Sequence, residues 1–273
     1  MHGAIGIAVL WFLFAGSHVG LAVRSVRSRL VAALGERGFL ALFSGAAAIG
    51  FSALVVYYAR HRFGGVAGLG LATSPWRLPL MAVAFIGVVL MFAMDYVKSP
   101  TALFDQPIRG PRGLERITRH PFFAGVTLLA VAHVLLATRL VSTVFFAGLA
   151  TLAIVGAWHQ DRKLLARRGP AYAEYLRQTS AVPFAAIVSG RQRLGWGDIS
   201  VRGLAVGVVA AIAVRTVHPA IFSHDGVWVI VAVLGGAAVS GFRASRRVRR
   251  LRAASAPARS LAEDGLRPSE RPA

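Results

Sequence analysis

An all-α bundle of transmembrane helices, with about seven spans, is the fold class this sequence predicts. Two observations carry that reading. The 273 residues are 56% hydrophobic and only 15% charged, with a mean hydropathy of +0.60, which is too apolar for a soluble globule of this length. The apolar residues also fall in long runs, and a spanning helix needs roughly 20 of them. Such runs occupy residues 3–23, 38–59, 78–97, 121–138, 141–158, 203–217 and 226–242.

Taken in order, the first run follows only Met1, His2 and Gly3. Without a basic leader, and long for the apolar core of a signal peptide, it reads as a retained span. His18 lies inside it. The second run carries Ser44 and Ser52, ordinary helix-packing residues, and ends in YYARHRFGG with His61 at its outer end. The fourth opens at Arg119-His120-Pro121, where proline suits the first helical turn, and contains His133. A tight hairpin around residues 138–140 leads into the fifth run, closed by His159. His218 and His224 bracket the outer connection of the last two runs. Residues 1–242 therefore form the membrane domain, and the basic 243–273 segment, rich in Ala, Pro, Ser and Arg, is expected to be a disordered cytoplasmic tail.

Lysine and arginine set the orientation, because cytoplasmic loops retain them. They crowd the connections after the first span (Arg24, Arg27, Arg29, Arg37), after the third (Lys98, Arg109, Arg112, Arg116, Arg119), after the fifth (Arg162 to Arg202) and the tail. The N-terminus is thus expected outside and the C-terminus in the cytoplasm of a bacterial-type inner membrane. Arg60, Arg62 and Arg77 oppose this assignment. The net charge of +20 sits beside apolar spans without any DNA-binding motif. It points to topology and anionic lipid headgroups, not nucleic acid.

There is no cysteine. That excludes disulfides, thiolate metal sites, a catalytic thiol and thioether-linked haem. No phosphate loop, zincin motif or nucleophile elbow occurs either. What remains is histidine. An intramembrane ionisable side chain is costly enough to read as functional, and His18 and His133, on separate spans, suggest one metal or haem iron shared between them. Neutral imidazole supplies axial haem ligands without burying charge. Interhelical hydrogen bonding is the competing reading. At about 1.5 Å of rise per residue, the two rings lie about 10 Å apart in depth. Arg119 and His120, at a positive helix start, read either as a helix-start signal or as an anion or cofactor contact.

Several stretches resemble known membrane families. The RHP element followed by a hairpin and an acidic-aromatic stretch is similar to membrane S-adenosylmethionine-dependent methyltransferases, although Asp161 stands where those enzymes look more like a paired glutamate. A closer resemblance rests on GSHVGLAVRSVRSRLVAALGERGF, YYARHRFGG, ITRHPFFAG, LAVAHVLL, GAWHQDRKLLARRGPAYAEYL, TSAVPFAAIVSGRQ and TVHPAIF. Together these look like the 15-cis-zeta-carotene isomerases and the related NnrU family over residues 10–222, the TSAVPF stretch being the most specific. The resemblance implies noncovalent haem b, with His18 and His133 as the iron ligands and His61 as a ligand exchanged on reduction. It also implies an apolar polyene, drawn from the bilayer and isomerised at a central double bond. An NnrU-like role in nitrogen-oxide metabolism is the alternative it carries. Phe122, Phe123, Phe145, Phe146 and Trp158 would then line a lateral path or simply pack. Asp161, Arg162 and Arg191 would pair with one another, meet haem propionates or stay solvated.

Overall fold

The computed structural model describes residues 1–93, 99–101, 107–242 and 246. Lys98 and all of the 243–273 tail except position 246 lie outside them, so the expected disorder of the tail does too. The described residues form α1 (His2–Ala22), α2 (Arg24–His61), α3 (Arg77–Phe92), α4 (Leu114–Ile117), α5 (Pro121–Leu136), α6 (Leu140–Arg168), α7 (Pro170–Gln178), α8 (Ala185–Val188), α9 (Val201–Val217) and α10 (227–242). Within the described residues each apolar run contains a helix. Among the described residues five helical stretches are long and apolar enough to cross a membrane: His2–Ala22, Arg24–His61, Leu140–Arg168, Val201–Ala220 and His224–Phe242. α3 and α5 have 16 residues each, about 24 Å at 1.5 Å per residue, short of a full hydrocarbon thickness. Among the described residues, length and composition therefore support five spans and do not confirm the expected seven.

The second run differs most from expectation. Its helix begins at Arg24, not residue 38, and breaks at Gly35 (φ 71°, ψ 167°), a conformation that glycine adopts without a Cβ clash. Arg27 bridges the break to Glu36 at 2.9 Å. The arginine-rich stretch read as a loop is thus a kinked extension of α2, built from good helix formers such as Ala32, Ala33 and Leu34.

Within residues 1–228 the helices pack in a row, α2 on α1, α1 on α6, α6 on α5, α5 on α3 and α3 on α9. Glycines set the close crossings. At the α3–α5 contact a Cβ on Gly87 would lie 2.6 Å from the Gly125 carbonyl, and at the α9–α3 contact a Cβ on Gly207 would lie 2.6 Å from the Val89 carbonyl. Without a hydrophobic driving force inside a bilayer, this approach of small residues is what holds spans together. Between α1 and α6, the Trp11 ring lies over Gly148 and its Nε1–H donates to the Phe145 carbonyl at 3.0 Å. Ile7, Phe14, Leu54, Tyr58 and Phe145 complete this buried cluster. Phe12 and Ile49, by contrast, are 78% and 74% exposed, as suits residues facing lipid.

The row has two ends of different character. One carries the start of α1, the end of α2 and the α5–α6 turn, tied to residues 66–70 by Leu140 N–H donating to the Val66 carbonyl at 2.9 Å. The other carries α4, α7 and α8.

Candidate functional site

Three helices enclose one groove near the first end. α3 contributes Arg77, Met81, Phe85 and Val88, at i, i+4, i+8 and i+11, a single helical stripe. α5 adds Leu129 and His133, α9 adds Arg215, and His218, three residues on, caps α9 at the start of a 3-10 turn (His218–Ala220). The cavity is about 550 Å³, within the range of small-molecule sites. Its walls are mainly apolar. Among the described residues two arginines and two histidines line it, and no carboxylate does.

The two imidazoles face each other with ring centroids 6.0 Å apart and planes inclined by 33°. The His133 Nδ1–H donates to the Leu129 carbonyl at 2.8 Å, one helical turn back. That bond fixes the tautomer and leaves the Nε2 lone pair unprotonated, the usual preparation of a ligating histidine. Phe146 packs against the His133 ring, with centroids 4.5 Å apart.

The other expected ligands lie elsewhere. His18 sits between Phe14 and Phe43, at 5.7 and 4.8 Å between centroids, and its buried Nδ1 has no hydrogen-bond partner. Trp11 bonds to Phe145, and His133 packs on the adjacent Phe146. His18 is seven residues beyond Trp11, so it lies about 10 Å from the level of His133 along the helix axis, with α6 packed between α1 and α5. The structure does not bring the two together. His61 stacks on Tyr57 at 4.0 Å, donates its Nδ1–H to the Tyr57 carbonyl at 2.8 Å and lines a separate cavity of about 170 Å³ with Gly3 and Val141. Among the described residues no three His, Asp or Glu side chains gather to hold a metal ion.

Arg119 and His120 lie at the opposite end, outside the groove. His120 Nε2–H donates to Asp161 Oδ1 at 2.8 Å, the Tyr172 hydroxyl donates to the same oxygen at 2.6 Å, and Arg119 bonds Oδ2 through Nε at 2.9 Å. Burial, and then the bond to Asp161, push the Tyr172 phenol well above its ordinary range, so it stays a donor. The TSAVPF stretch straps this cluster down. Arg119 N–H donates to the Ser180 carbonyl, Thr118 Oγ1 to the Ala181 carbonyl and Phe184 N–H to the Ile117 carbonyl. Arg191 closes the strap on the Arg177 and Thr179 carbonyls, and Arg162 lies over Trp158. Asp161 thus pairs with Arg119, and neither Arg162 nor Arg191 bonds to it.

The family model described as NnrU protein matches residues 7–226. The chain belongs to the NnrU family. Among curated proteins it is 32% identical over 196 residues to the chloroplastic 15-cis-zeta-carotene isomerase of Zea mays, covering 68% of this chain and 51% of that one. It is 32% identical over 194 residues to the Arabidopsis thaliana protein of the same name, covering 70% and 52%. The chain spans about half the length of these relatives. No solved structure gives a significant match.

Every residue of the groove, and of the clasp that Asp161 forms with Arg119, His120 and Tyr172, lies inside the NnrU match. His218, Arg77 and Arg215 are the groove residues that sequence reading passed over. Two signals were available: the Arg215–His218 spacing, close to one helical turn, and arginines capping apolar runs on a side where basic residues are sparse. The expected aromatic path is mostly packing, since Phe145 stacks on Tyr58 at 4.0 Å and Phe123 lies edge-on to His120 at 5.7 Å.

Proposed function

We propose that this NnrU-family protein is an integral-membrane cis–trans isomerase acting on a central double bond of an apolar polyene, with noncovalent haem b held in the α3–α5–α9 groove. The identity to proteins named 15-cis-zeta-carotene isomerase carries the reaction class. The groove's chemistry favours the cofactor. A flat apolar macrocycle with two carboxylates on one edge suits an apolar cleft lined, among the described residues, by two arginines, no acid and a histidine whose Nε2 is free. Of the histidines that the resemblance implies, His133 is the one that lines this cleft.

The residues divide the work. His133 offers a neutral nitrogen whose direction is set by Leu129. Met81, Phe85 and Leu129 exclude water, which keeps electrostatic interactions at the cofactor strong. Arg77, first in α3, and Arg215, in the last turn of α9, stand at helix ends, where their charges can reach headgroup water. When bound, haem would supply an iron able to donate or withdraw electron density transiently and take it back, which would weaken the double bond to rotation with no net oxidation or reduction. An apolar substrate dissolved in the bilayer reaches the groove laterally, between helices. We place the N-terminus outside and the C-terminus in the cytoplasm of a bacterial-type inner membrane, following the basic loops.

Purified protein loaded with haem and reconstituted in liposomes is expected to convert 15-cis-zeta-carotene to its 15-trans form, followed by chromatography, and haem-free protein is not. Absence of conversion by haem-loaded protein would remove the isomerase reading. The second reading, an NnrU-like membrane factor linked to nitrogen-oxide metabolism, is favoured by the family match over most of the chain. Haem-loaded protein without isomerase activity would support it. The methyltransferase reading is the weakest, because Asp161 stands in place of a paired glutamate; Asp161 is bonded by Arg119, His120 and Tyr172.

A further inference from the structure

We infer that residues 24–34, the part of α2 before its break at Gly35, form an interfacial helix that lies on the bilayer surface and binds the phosphates of anionic phospholipids. Register between the first two spans places the segment. α1 and α2 run antiparallel: Gly3 lies against His61 and Gly6 against Tyr57, Phe14 meets Phe51, and His18 meets Phe43 at 4.8 Å between ring centroids. Ala22, the end of α1, therefore comes level with Phe39. Residues 24–34 fall beyond the paired spans. The chain leaves α1 through one extended residue, Val23 (φ −60°, ψ 134°), and re-enters the span at Gly35, so the segment is tethered to the bilayer surface at both ends. Arg27 shows that it turns back against α2 and does not prolong its axis. Its guanidinium bonds Glu36 at 2.9 Å and lies 5.3 Å from the centre of the Phe39 ring. In a straight helix those two positions would be about 13 and 18 Å along the axis.

The segment has two faces. Val26, Leu30, Ala33 and Leu34, at i, i+4, i+7 and i+8, form an apolar stripe. Arg24, Ser25, Ser28 and Arg29 occupy the opposite arc, and Val31 departs from the pattern between Arg24 and Arg27. The rest of the protein leaves the apolar stripe open, with Val26 37% and Leu34 50% exposed. A helix tethered in this way buries such a stripe among the upper acyl chains and keeps its cations at the headgroups. Charge selects the lipid. Between residues 24 and 37 stand four arginines and one acid, Glu36, which Arg27 already holds. Guanidinium forks match phosphate oxygens, and each basic residue near an anionic surface favours association about fivefold.

The test uses the full chain in mixed phosphatidylcholine and phosphatidylglycerol liposomes, with bimane on single introduced cysteines. At Val26→Cys and Leu34→Cys the fluorophore is expected to be quenched by lipids nitroxide-labelled on the acyl chain and shielded from aqueous iodide. At Ser28→Cys the order should reverse. Nitroxide-labelled phosphatidylglycerol should quench Leu34→Cys more strongly than phosphatidylcholine carrying the same label. Adding Arg24→Gln and Arg29→Gln should bring the two lipids towards parity, by up to about fivefold for each charge removed. Every substituted position is exposed, so the variants should keep the wild-type unfolding temperature. Iodide quenching on both faces would put the segment in water. Shielding of Leu34→Cys from both quenchers would put a protein surface over it, and equal quenching by the two lipids would remove the anionic headgroup. Each of these three results would overturn the inference. Haem content enters none of the readouts, so the isomerase reading stands or falls separately.

Discussion

Asp161 accepts bonds from three side chains on two segments, the Arg119-His120 pair and Tyr172 of α7, and the clasp depends on its charge. Asp161→Ala leaves Arg119 as an uncompensated cation, and breaking such a pair costs about 3 kcal/mol or more. We expect a clear fall in thermal unfolding temperature in detergent. Tyr172→Phe isolates one of the three bonds, worth about 1.5 kcal/mol to a charged acceptor. Its pH dependence has a definite sign. The phenol is raised in the folded state, so its contribution is full below the free phenol value of about 10 and is lost as pH climbs through the folded value. The gap between wild type and Tyr172→Phe, measured by thermal unfolding, should be constant from pH 7 to 9 and shrink at higher pH. A gap that widens there would contradict the assignment. None of this was legible in the RHP motif alone. His120 read as a surface group because its acceptor lies 41 residues away, and only the fold brings the two together.

The helices themselves were legible, because apolar runs must satisfy their own backbone groups in lipid. Their ends were less so. α2 runs back to Arg24 because arginine beside alanine and leucine is compatible with helix, and hydropathy alone does not register that. The close crossings were also hidden, since nothing local distinguishes Gly87 and Gly125 from other glycines in apolar runs. Gly125→Val should part α3 from α5, because the added Cβ meets the Gly87 carbonyl and Met91. The overpacking costs about 1–3 kcal/mol. It should also loosen haem retention, since both helices wall the groove. A substitution at Gly16, where a Cβ meets nothing within 4 Å, provides the control and should leave stability unchanged.

Across the whole molecule, the groove and the clasp occupy opposite ends of the helix row, so the orientation in the membrane decides which faces the cytoplasm. The absence of cysteine makes single-cysteine labelling clean. Phe63→Cys, at a residue 76% exposed, should react with an impermeant maleimide on intact cells; Val188→Cys, at one 85% exposed, should react only after permeabilisation. The reverse pattern would invert the assigned topology. Arg60, one of the arginines that opposed this orientation, is paired with Asp225 at 2.7 Å, and Arg77 faces the groove. Both therefore have local reasons to be where they are. His133 was visible from burial cost within an apolar run, but its neighbours were not. His218 and the two arginines stand at run ends, where such residues normally mark only the membrane surface. The most direct measurement is the absorbance spectrum of the detergent-purified protein, expressed with ample haem, in oxidised and reduced forms. We expect a Soret band with low-spin features that changes on reduction and is lost or strongly altered in His133→Ala. A wild-type protein with no haem absorbance would contradict the central claim.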